Sequence, residues 1–231
     1  MDSVCSLCHC YIKENTIFSD LSDEQLARFK DVVITSLYNK RGVIFLEGDP
    51  CPGFYVVKSG RVKLVRTSNV GKEQIIKILQ PGEILGMEVF YDGKRYSNSA
   101  IAMDDCELCF IEKGVFFRIL GEYPPISRKI IIALSKELND AYEKIGDMGL
   151  KTAREKMAHL LYTLAKDYGV MDNSGLRLTL NLSRLEIAEL LGITQETSIR
   201  LLKAFKEEGI LEIKRKDIII KSMERLQEVG G

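Results

Sequence analysis

The stretch SRLEIAELLGITQETSIRLLKAF, residues 183–205, decides the fold of the C-terminal part of the chain. Ser183 is followed three positions later by a glutamate, which is the capping-box pattern that begins a helix. Gly192 suits the left-handed residue that ends a helix, and Thr194 can cap a second helix that runs to about residue 208. Two helices joined by a tight glycine turn predict a helix-turn-helix.

The second of these helices has an apolar face and a charged face. Glu196, Arg200 and Lys203 follow one another at spacings of four and three, so they share the face opposite the predicted core. An arginine can make two hydrogen bonds to guanine and a glutamate can accept one from cytosine, so this face can recognise bases in a major groove. The residues that we expect to meet DNA are Gln195, Glu196, Ser198, Ile199, Arg200 and Lys203.

A short apolar hairpin with a basic turn follows this helix, over residues 210–220. Its position is that of the wing of a winged helix, whose cations contact the phosphate backbone. These cations would be Lys214, Arg215 and Lys216. A helical subdomain with a solvated charged face is the alternative interpretation, and the order of elements along the whole chain argues against it.

The pattern divides the chain into four pieces. Residues 1–18 are a leader that holds three of the six cysteines. Residues 19–121 are mostly short apolar segments separated by glycine-bearing turns, at a spacing of about 8–12 residues that is typical of a β-barrel or sandwich. Residues 122–150 are predicted to form one long helix, and residues 151–231 form the DNA-binding piece. The predicted fold class is therefore α+β.

The long helix carries a heptad seam, since its apolar positions are separated by four, three, four and three residues. The seam consists of Leu134, Leu138, Ala141, Ile145 and Met148. A narrow stripe of this kind is typical of a helix that pairs with another helix, so we expect a two-fold homodimer. Packing against the β-barrel of the same chain is the alternative.

Composition narrows the class of protein. The 231 residues can form two domains, and 45% hydrophobic with 29% charged residues is an ordinary globular composition. No apolar run approaches the roughly 18 residues that cross a bilayer, and the N-terminus lacks a secretory signal, so we expect a cytoplasmic protein without a membrane partner. The sequence contains no Ser/His/Asp order, phosphate-binding loop or metalloprotease spacing, which argues against an enzyme.

Several motifs in matching order make residues 19–222 resemble the CRP/FNR superfamily of transcription regulators. The motifs are Gly42 to Asp49, Tyr55 to Gly60, Pro81 to Gly86 and Ile193 to Leu202. The resemblance implies a cyclic-nucleotide-binding-type jelly roll, a dimerisation helix and a winged helix-turn-helix. It also implies that Glu196 and Arg200 contact the bases of an imperfect palindrome and that the dimer contacts RNA polymerase to activate transcription. Ile199 stands where FNR proper has serine, so the outer half-site preference stays open. The alternative class of function is an interaction domain of the cyclic-nucleotide-binding type that does not act on DNA.

The resemblance does not extend to the residues that would bind a cyclic nucleotide. The family's ribose-binding glutamate is replaced by Met87, one position before Glu88. Ser97 matches the serine of the phosphate-binding pair, but Arg95 stands one residue too early. A shift of one residue on a strand turns a side chain to the opposite face, so the sequence argues against a cyclic nucleotide.

By the same resemblance, the leader indicates an iron–sulfur cluster of the [4Fe–4S] type, which needs about four thiolates. Cys5, Cys8 and Cys10 could supply three, and Cys109 stands at the place of the barrel ligand in FNR. Cys106 is three residues away on a predicted strand, so it points to the opposite face, but it stays an alternative ligand. The cluster would sense oxygen, redox state or nitric oxide and would control dimerisation and DNA binding.

Other interpretations of the leader remain open. Cys5 and Cys8 have a common zinc spacing, and two thiols can form a redox switch. A haem that binds a gas could be held by His9 or a cysteine thiolate. The thiols could also lie in a leader without a function of its own.

Overall fold

A computed structural model describes residues 3–4, 17–22, 24–25, 33–90, 95–173, 175–215 and 217–231. Five residues with predicted roles lie outside these described residues: Cys5, Cys8, His9, Cys10 and Lys216. The chain divides into two compact units, Met1–Glu137 and Leu138–Gly231. In the part of the chain that the structure describes, no helix combines the length and the apolar composition that crossing a bilayer requires.

The first unit consists of short strands followed by helices. The strands are β1 (Ser3–Val4), β2 (Val33–Tyr38), β3 (Val43–Phe45), β4 (Gly53–Ser59), β5 (Val62–Thr67), β6 (Glu73–Leu79), β7 (Ile84–Leu85), β8 (Ser99–Ala102) and β9 (Cys106–Glu112). Helices α1 (Lys113–Glu122) and α2 (Pro124–Leu150) follow, and the boundary between the two units falls within α2.

The strands form two sheets, with orders β1-β2-β9-β4-β7 and β3-β8-β5-β6. Strand β9 lies inside the first sheet, and its side chains alternate between two buried clusters. Cys106 and Leu108 belong to a cluster with residues from both sheets, which we call the inter-sheet core. Cys109 and Ile111 belong to a second cluster with residues of α1 and the start of α2, which we call the helix-side core. This sandwich with its helices confirms the predicted α+β class.

The second unit contains α3 (Ala153–Tyr168), α4 (Arg184–Leu191), α5 (Gln195–Glu207) and α6 (Met223–Gly230). Its strands are β10 (Gly169–Asp172), β11 (Gly175–Leu178), β12 (Leu211–Lys214) and β13 (Asp217–Ile220), which form a sheet in the order β10-β11-β13-β12. The core of this unit contains buried side chains from its strands as well as from its helices, and the helical ones include Met157, Leu161, Leu202, Phe205 and Leu226.

The predicted caps of the helix-turn-helix are confirmed. The Ser183 hydroxyl accepts a hydrogen bond from the Glu186 amide at 3.1 Å, and the Glu186 carboxylate accepts one from the Ser183 amide at 2.8 Å. Gly192 ends α4 with a φ of 67°. The Thr194 hydroxyl accepts a hydrogen bond from the Thr197 amide at 3.2 Å, which positions the first turn of α5.

The long helix differs from the prediction at its start. The sequence predicts one helix over residues 122–150, whereas Glu122 ends α1 and Pro124 begins α2. The cause is local, because a residue before proline is pushed away from helical geometry, and Tyr123 has a φ of −131° and a ψ of 77°.

The second unit has more strands than the single hairpin that the sequence predicts. Strand β11 pairs with β13, so that Leu176 lies opposite Ile220. Strand β10 pairs in turn with β11, from Gly169 to Asp172. The partner of β11 is β13, which lies far along the chain. The sequence of a four-residue strand therefore gives little local indication that it belongs to a sheet.

Candidate nucleic-acid interface and sensor site

Helix α5 exposes most of the residues that were predicted to contact DNA. The exposed ones are Gln195, Glu196, Ile199, Arg200 and Lys203. Leu202 and Phe205 are buried on the opposite side of the helix, as predicted. Ile199 is 48% exposed although it is apolar, and an apolar side chain on this face suits contact with a thymine methyl group.

Ser198 departs from the prediction, because its side chain is fully buried. It precedes Leu202 by four positions and Phe205 by seven, so it belongs to the core face of α5. Its hydroxyl has no hydrogen-bond partner among the residues that the structure describes. Ser198 therefore does not present its hydroxyl to DNA, and the spacing to Leu202 was the signal that would have shown this.

The charged groups on this face are ready for hydrogen bonding to DNA. A hydrogen bond from its own backbone amide, followed by one from Thr194, lowers the pKa of Glu196. The carboxylate is therefore ionised near neutral pH and can accept a hydrogen bond from a cytosine amine. The Lys203 ammonium lies 3.7 Å from the Glu207 carboxylate, and such an exposed pair is weak enough for the lysine to exchange its partner for a phosphate.

The wing is formed by β12 and β13, with Lys214 paired opposite Asp217 at its tip. Lys214 and Arg215 are exposed, and Arg215 adopts a left-handed φ of 56°. The Lys214 ammonium lies 3.5 Å from the Glu212 carboxylate, which reduces its free charge. Arg215 is therefore the wing cation best placed for a phosphate, among the described residues of the turn.

The predicted seam on α2 is an exposed apolar stripe. All five of its residues are exposed: Leu134, Leu138, Ala141, Ile145 and Met148. Ile131 and Tyr142 continue the same face and are 63% and 64% exposed, although neither belongs to the seam predicted from the heptad spacing. Their spacing to Leu134 and Leu138 was the available signal, because Ile131 lies three positions before Leu134 and Tyr142 four after Leu138.

The two cysteines of β9 face opposite sides of the sheet, as their spacing predicts. Cys109 is fully buried in the helix-side core, where Ile17 and Phe18 from the end of the leader also pack. The Cys109 sulfur lies 3.8 Å from the Thr35 hydroxyl. The strand therefore presents Cys109 on the side that the leader reaches.

The register of the sheet also relates Cys109 to the leader. Cys109 lies opposite Thr35 of β2, and Thr35 lies opposite Ser3 of β1. Neighbouring strands are about 4.8 Å apart, so the backbones of Ser3 and Cys109 are about 10 Å apart. Strand β1 ends at Val4, one residue before Cys5.

Cys106 has a different environment. Its thiol donates to the carbonyl oxygens of Arg61 and Asp104, each at 3.2 Å, within the inter-sheet core. Burial raises the pKa of Cys106, which opposes formation of a thiolate. Both β9 cysteines are buried, but Cys109 is the one on the side of the sheet where Ile17 and Phe18 of the leader pack.

The comparisons with known proteins agree with this architecture. Residues 36–123 match the family described as the cyclic nucleotide-binding domain, and residues 155–229 match the Crp-like helix-turn-helix domain. The anaerobic regulatory protein of Pasteurella multocida is 28% identical over 223 residues, which are 96% of this chain and 81% of that protein. The cyclic AMP receptor protein of Thermus thermophilus is 27% identical over 220 residues, which are 95% of this chain and 98% of that protein.

A solved structure shows the same arrangement of elements. FixK2 from Bradyrhizobium japonicum is 25% identical, with a TM-score of 0.77 over 87% of this chain and 98% of that one. The two family matches occur in the predicted order, and the relatives are regulators rather than enzymes. The chain belongs to the CRP/FNR superfamily of DNA-binding transcription regulators, as its motifs predicted.

Proposed function

We propose that the chain acts as a homodimer that binds an imperfect DNA palindrome and activates transcription through contact with RNA polymerase. The exposed apolar stripe on α2 carries this proposal. An apolar row of this length, from Leu134 to Met148, is covered when a second copy packs against it by two-fold symmetry. The two α5 helices of such a dimer can enter successive major grooves.

The signal that we propose for this dimer is oxygen, redox state or nitric oxide, sensed by an FNR-like iron–sulfur site. The placement of Cys109 beside the end of the leader supports this proposal. The relative in Pasteurella multocida, whose name is anaerobic regulatory protein, supports it as well. The relative in Thermus thermophilus is a cyclic AMP receptor protein, so the choice between signals depends on the residues of this chain.

Cys109 suits the role of one thiolate ligand. The Thr35 hydroxyl lies 3.8 Å from its sulfur, where either group can act as the donor. No group of three or more metal-binding side chains occurs among the described residues. By the resemblance to FNR, the other ligands of the proposed cluster would be Cys5, Cys8 and Cys10, with Cys106 as the alternative. When bound, the cluster would supply iron that reacts with oxygen and nitric oxide.

The end of the leader is attached directly to the proposed dimer helix. Phe18 shares the helix-side core with Ile126 and Ile130 of α2. The Lys129 ammonium lies 2.7 Å from the Asp20 carboxylate and also donates a hydrogen bond to the Ser19 hydroxyl. A change at the end of the leader would therefore reach α2 through the packing of Phe18, and Asp20, just after the leader, adds an ion pair to the same helix.

Replacing Cys109 by serine should remove the iron site while leaving the fold intact. We expect protein purified without air to show a broad brown absorbance and about four irons per chain, and Cys109→Ser to lose most of both. Cys106→Ser is the matched control, because it changes a buried thiol of the same strand that faces the other core. Iron and sulfide analysis and the circular dichroism of the three proteins make the comparison.

Each outcome of this measurement discriminates between the possible sites. Equal iron in Cys109→Ser and the parent, with loss in Cys106→Ser, would replace Cys109 by Cys106 as the ligand. Colourless protein that contains zinc, or a sharp Soret band, would replace the cluster by a zinc or haem site. An iron-free protein that binds DNA fully would reject iron-dependent sensing altogether.

Replacing Lys129 by methionine should weaken the response to air without removing the iron. The variant keeps the aliphatic stem but loses the ion pair with Asp20, which is partly exposed and worth about 0.5–1 kcal/mol. We expect the ratio of DNA affinity between air-free and air-exposed protein to fall about twofold to fivefold. Lys136→Met, on the exposed part of the same helix, should leave this ratio unchanged. An unchanged ratio in Lys129→Met would exclude this ion pair from signal transmission.

A further inference from the structure

Glu88 makes an unusual contact in the cyclic nucleotide-binding domain. It lies in the short turn Met87–Phe90, before the segment that leads into β8. One oxygen of its carboxylate, Oε1, accepts a hydrogen bond from the Ser97 backbone amide at 3.0 Å and a second from the Ser97 hydroxyl. Two donors of one residue therefore converge on a single anionic oxygen.

Such a pair of converging donors is also what binds a phosphate oxygen, because charge-assisted N–H and O–H hydrogen bonds are the strong ones at anion sites. A domain that holds a cyclic nucleotide has to offer donors of this kind to the phosphodiester. In this chain the carboxylate of Glu88 occupies them. A phosphate that approached Ser97 would also meet the negative charge of Glu88.

The surroundings hold both partners in place. Val89, next to Glu88, is buried, and Tyr96, next to Ser97, stacks its ring on Phe45 with centroids 3.6 Å apart. The Tyr96 hydroxyl donates to the Gly53 carbonyl at 3.2 Å, which anchors the end of this ring. The contact between Glu88 and Ser97 therefore rests on buried neighbours at each end.

The nearby arginine is turned to a different partner. The Arg95 guanidinium donates to the Gly48 carbonyl at 2.7 Å, and its side chain is exposed. Its backbone forms an isolated antiparallel bridge with Pro50. The segment before β8 thus directs this positive charge to the loop at Gly48, while Ser97 contacts Glu88.

We propose that Glu88 is the built-in anion of this β-domain: it occupies the donors of Ser97 and closes the domain to cyclic nucleotides and other phosphate ligands. The domain then keeps the fold of a nucleotide-binding domain, but its Ser97 donors are permanently occupied by the Glu88 carboxylate. This inference does not depend on the iron–sulfur proposal, since it concerns a different set of residues.

Removing the carboxylate should open the site. We expect calorimetric titration of the full chain with cyclic AMP, and separately with inorganic phosphate, to show no binding to the parent at millimolar ligand. Glu88→Ala should show measurable binding, with an affinity at least about tenfold above the limit that the titration sets for the parent. Glu47→Ala, which removes an exposed carboxylate of the same domain, should behave like the parent. Tight binding of cyclic AMP by the parent, or affinities of Glu88→Ala within about twofold of the parent, would overturn the proposal.

A second variant keeps the test valid if the alanine variant does not fold. Glu88→Gln retains an oxygen acceptor but loses the charge, so the Ser97 amide proton should move upfield in the NMR spectrum as its hydrogen bond weakens. The same amide should move again when phosphate is added to the variant, but not when it is added to the parent. A Ser97 amide that is unaffected by Glu88→Gln would show that the carboxylate does not hold it.

Discussion

Binding to a palindromic duplex should weaken by about 2–6 kcal/mol, roughly 30-fold to 10⁴-fold, when Arg200 is replaced by alanine. A bidentate contact between arginine and guanine is worth about 1–3 kcal/mol, and a dimer loses it in both half-sites. The exposed position of Arg200, one turn after Glu196 on α5, makes this contact possible. Competition binding against a duplex with a scrambled half-site measures the loss of specificity.

Arg200→Lys separates base recognition from simple charge. Lysine keeps the positive charge but lacks the planar fork that matches guanine, so specific binding should fall while non-specific binding and its salt dependence stay close to the parent. Glu196→Ala should lower the specificity ratio while it raises non-specific affinity, because it removes a negative charge that faces the phosphates. If both variants keep the parent ratio of specific to non-specific affinity, α5 does not contact the bases.

Two glutamates in the α2 stripe should convert the dimer to monomers. In Leu138→Glu with Ile145→Glu, each carboxylate would be buried against an apolar partner, and an uncompensated buried charge costs about 3–5 kcal/mol. The dissociation constant of the dimer should therefore rise at least about 100-fold, with a matching loss of DNA affinity. Sedimentation equilibrium of air-free protein measures this change.

The control for this pair is Lys136→Glu, because residue 136 lies on the opposite face of α2 and is also exposed. It introduces the same side chain without entering the stripe, so its dimer should dissociate like that of the parent. A double glutamate variant that sediments as the parent does would place the contact between subunits on another surface.

Local sequence signals predicted the helix-turn-helix well. The capping box at Ser183, the glycine at 192 and the cap at Thr194 each act over a few residues, so the pattern alone locates the ends of α4 and α5. The opposite orientation of Cys106 and Cys109 was predictable for the same reason, since alternation along a strand is a local rule.

Other features could not be read from the sequence because they depend on distant partners. Helix α1 begins without a side-chain cap and contains Gly114 and Gly121, so its sequence lacks helix signals, and packing of Phe116 and Ile119 stabilises it instead. The contact of Glu88 with Ser97 joins a turn to a segment nine residues away, and nothing in the spacing indicates it.

Ser198 shows a third reason why a prediction from the sequence fails. A polar residue on a helix that is rich in polar residues was assigned to the DNA surface by its chemical type. Its spacing to Leu202 instead places it in the core, where its side chain is fully buried. Position on the helix therefore outweighs polarity at this residue.

The alternation along β9 has a consequence for how this regulator can change during evolution. Residues 109 and 111 face the leader and the helices, whereas residues 106 and 108 face the second sheet. Point substitutions can therefore alter the packing against the leader and helices separately from the packing between the two sheets, within seven consecutive residues. Insertion or deletion of a single residue would exchange the two sets, so divergence along this strand should proceed by replacement and not by changes in length.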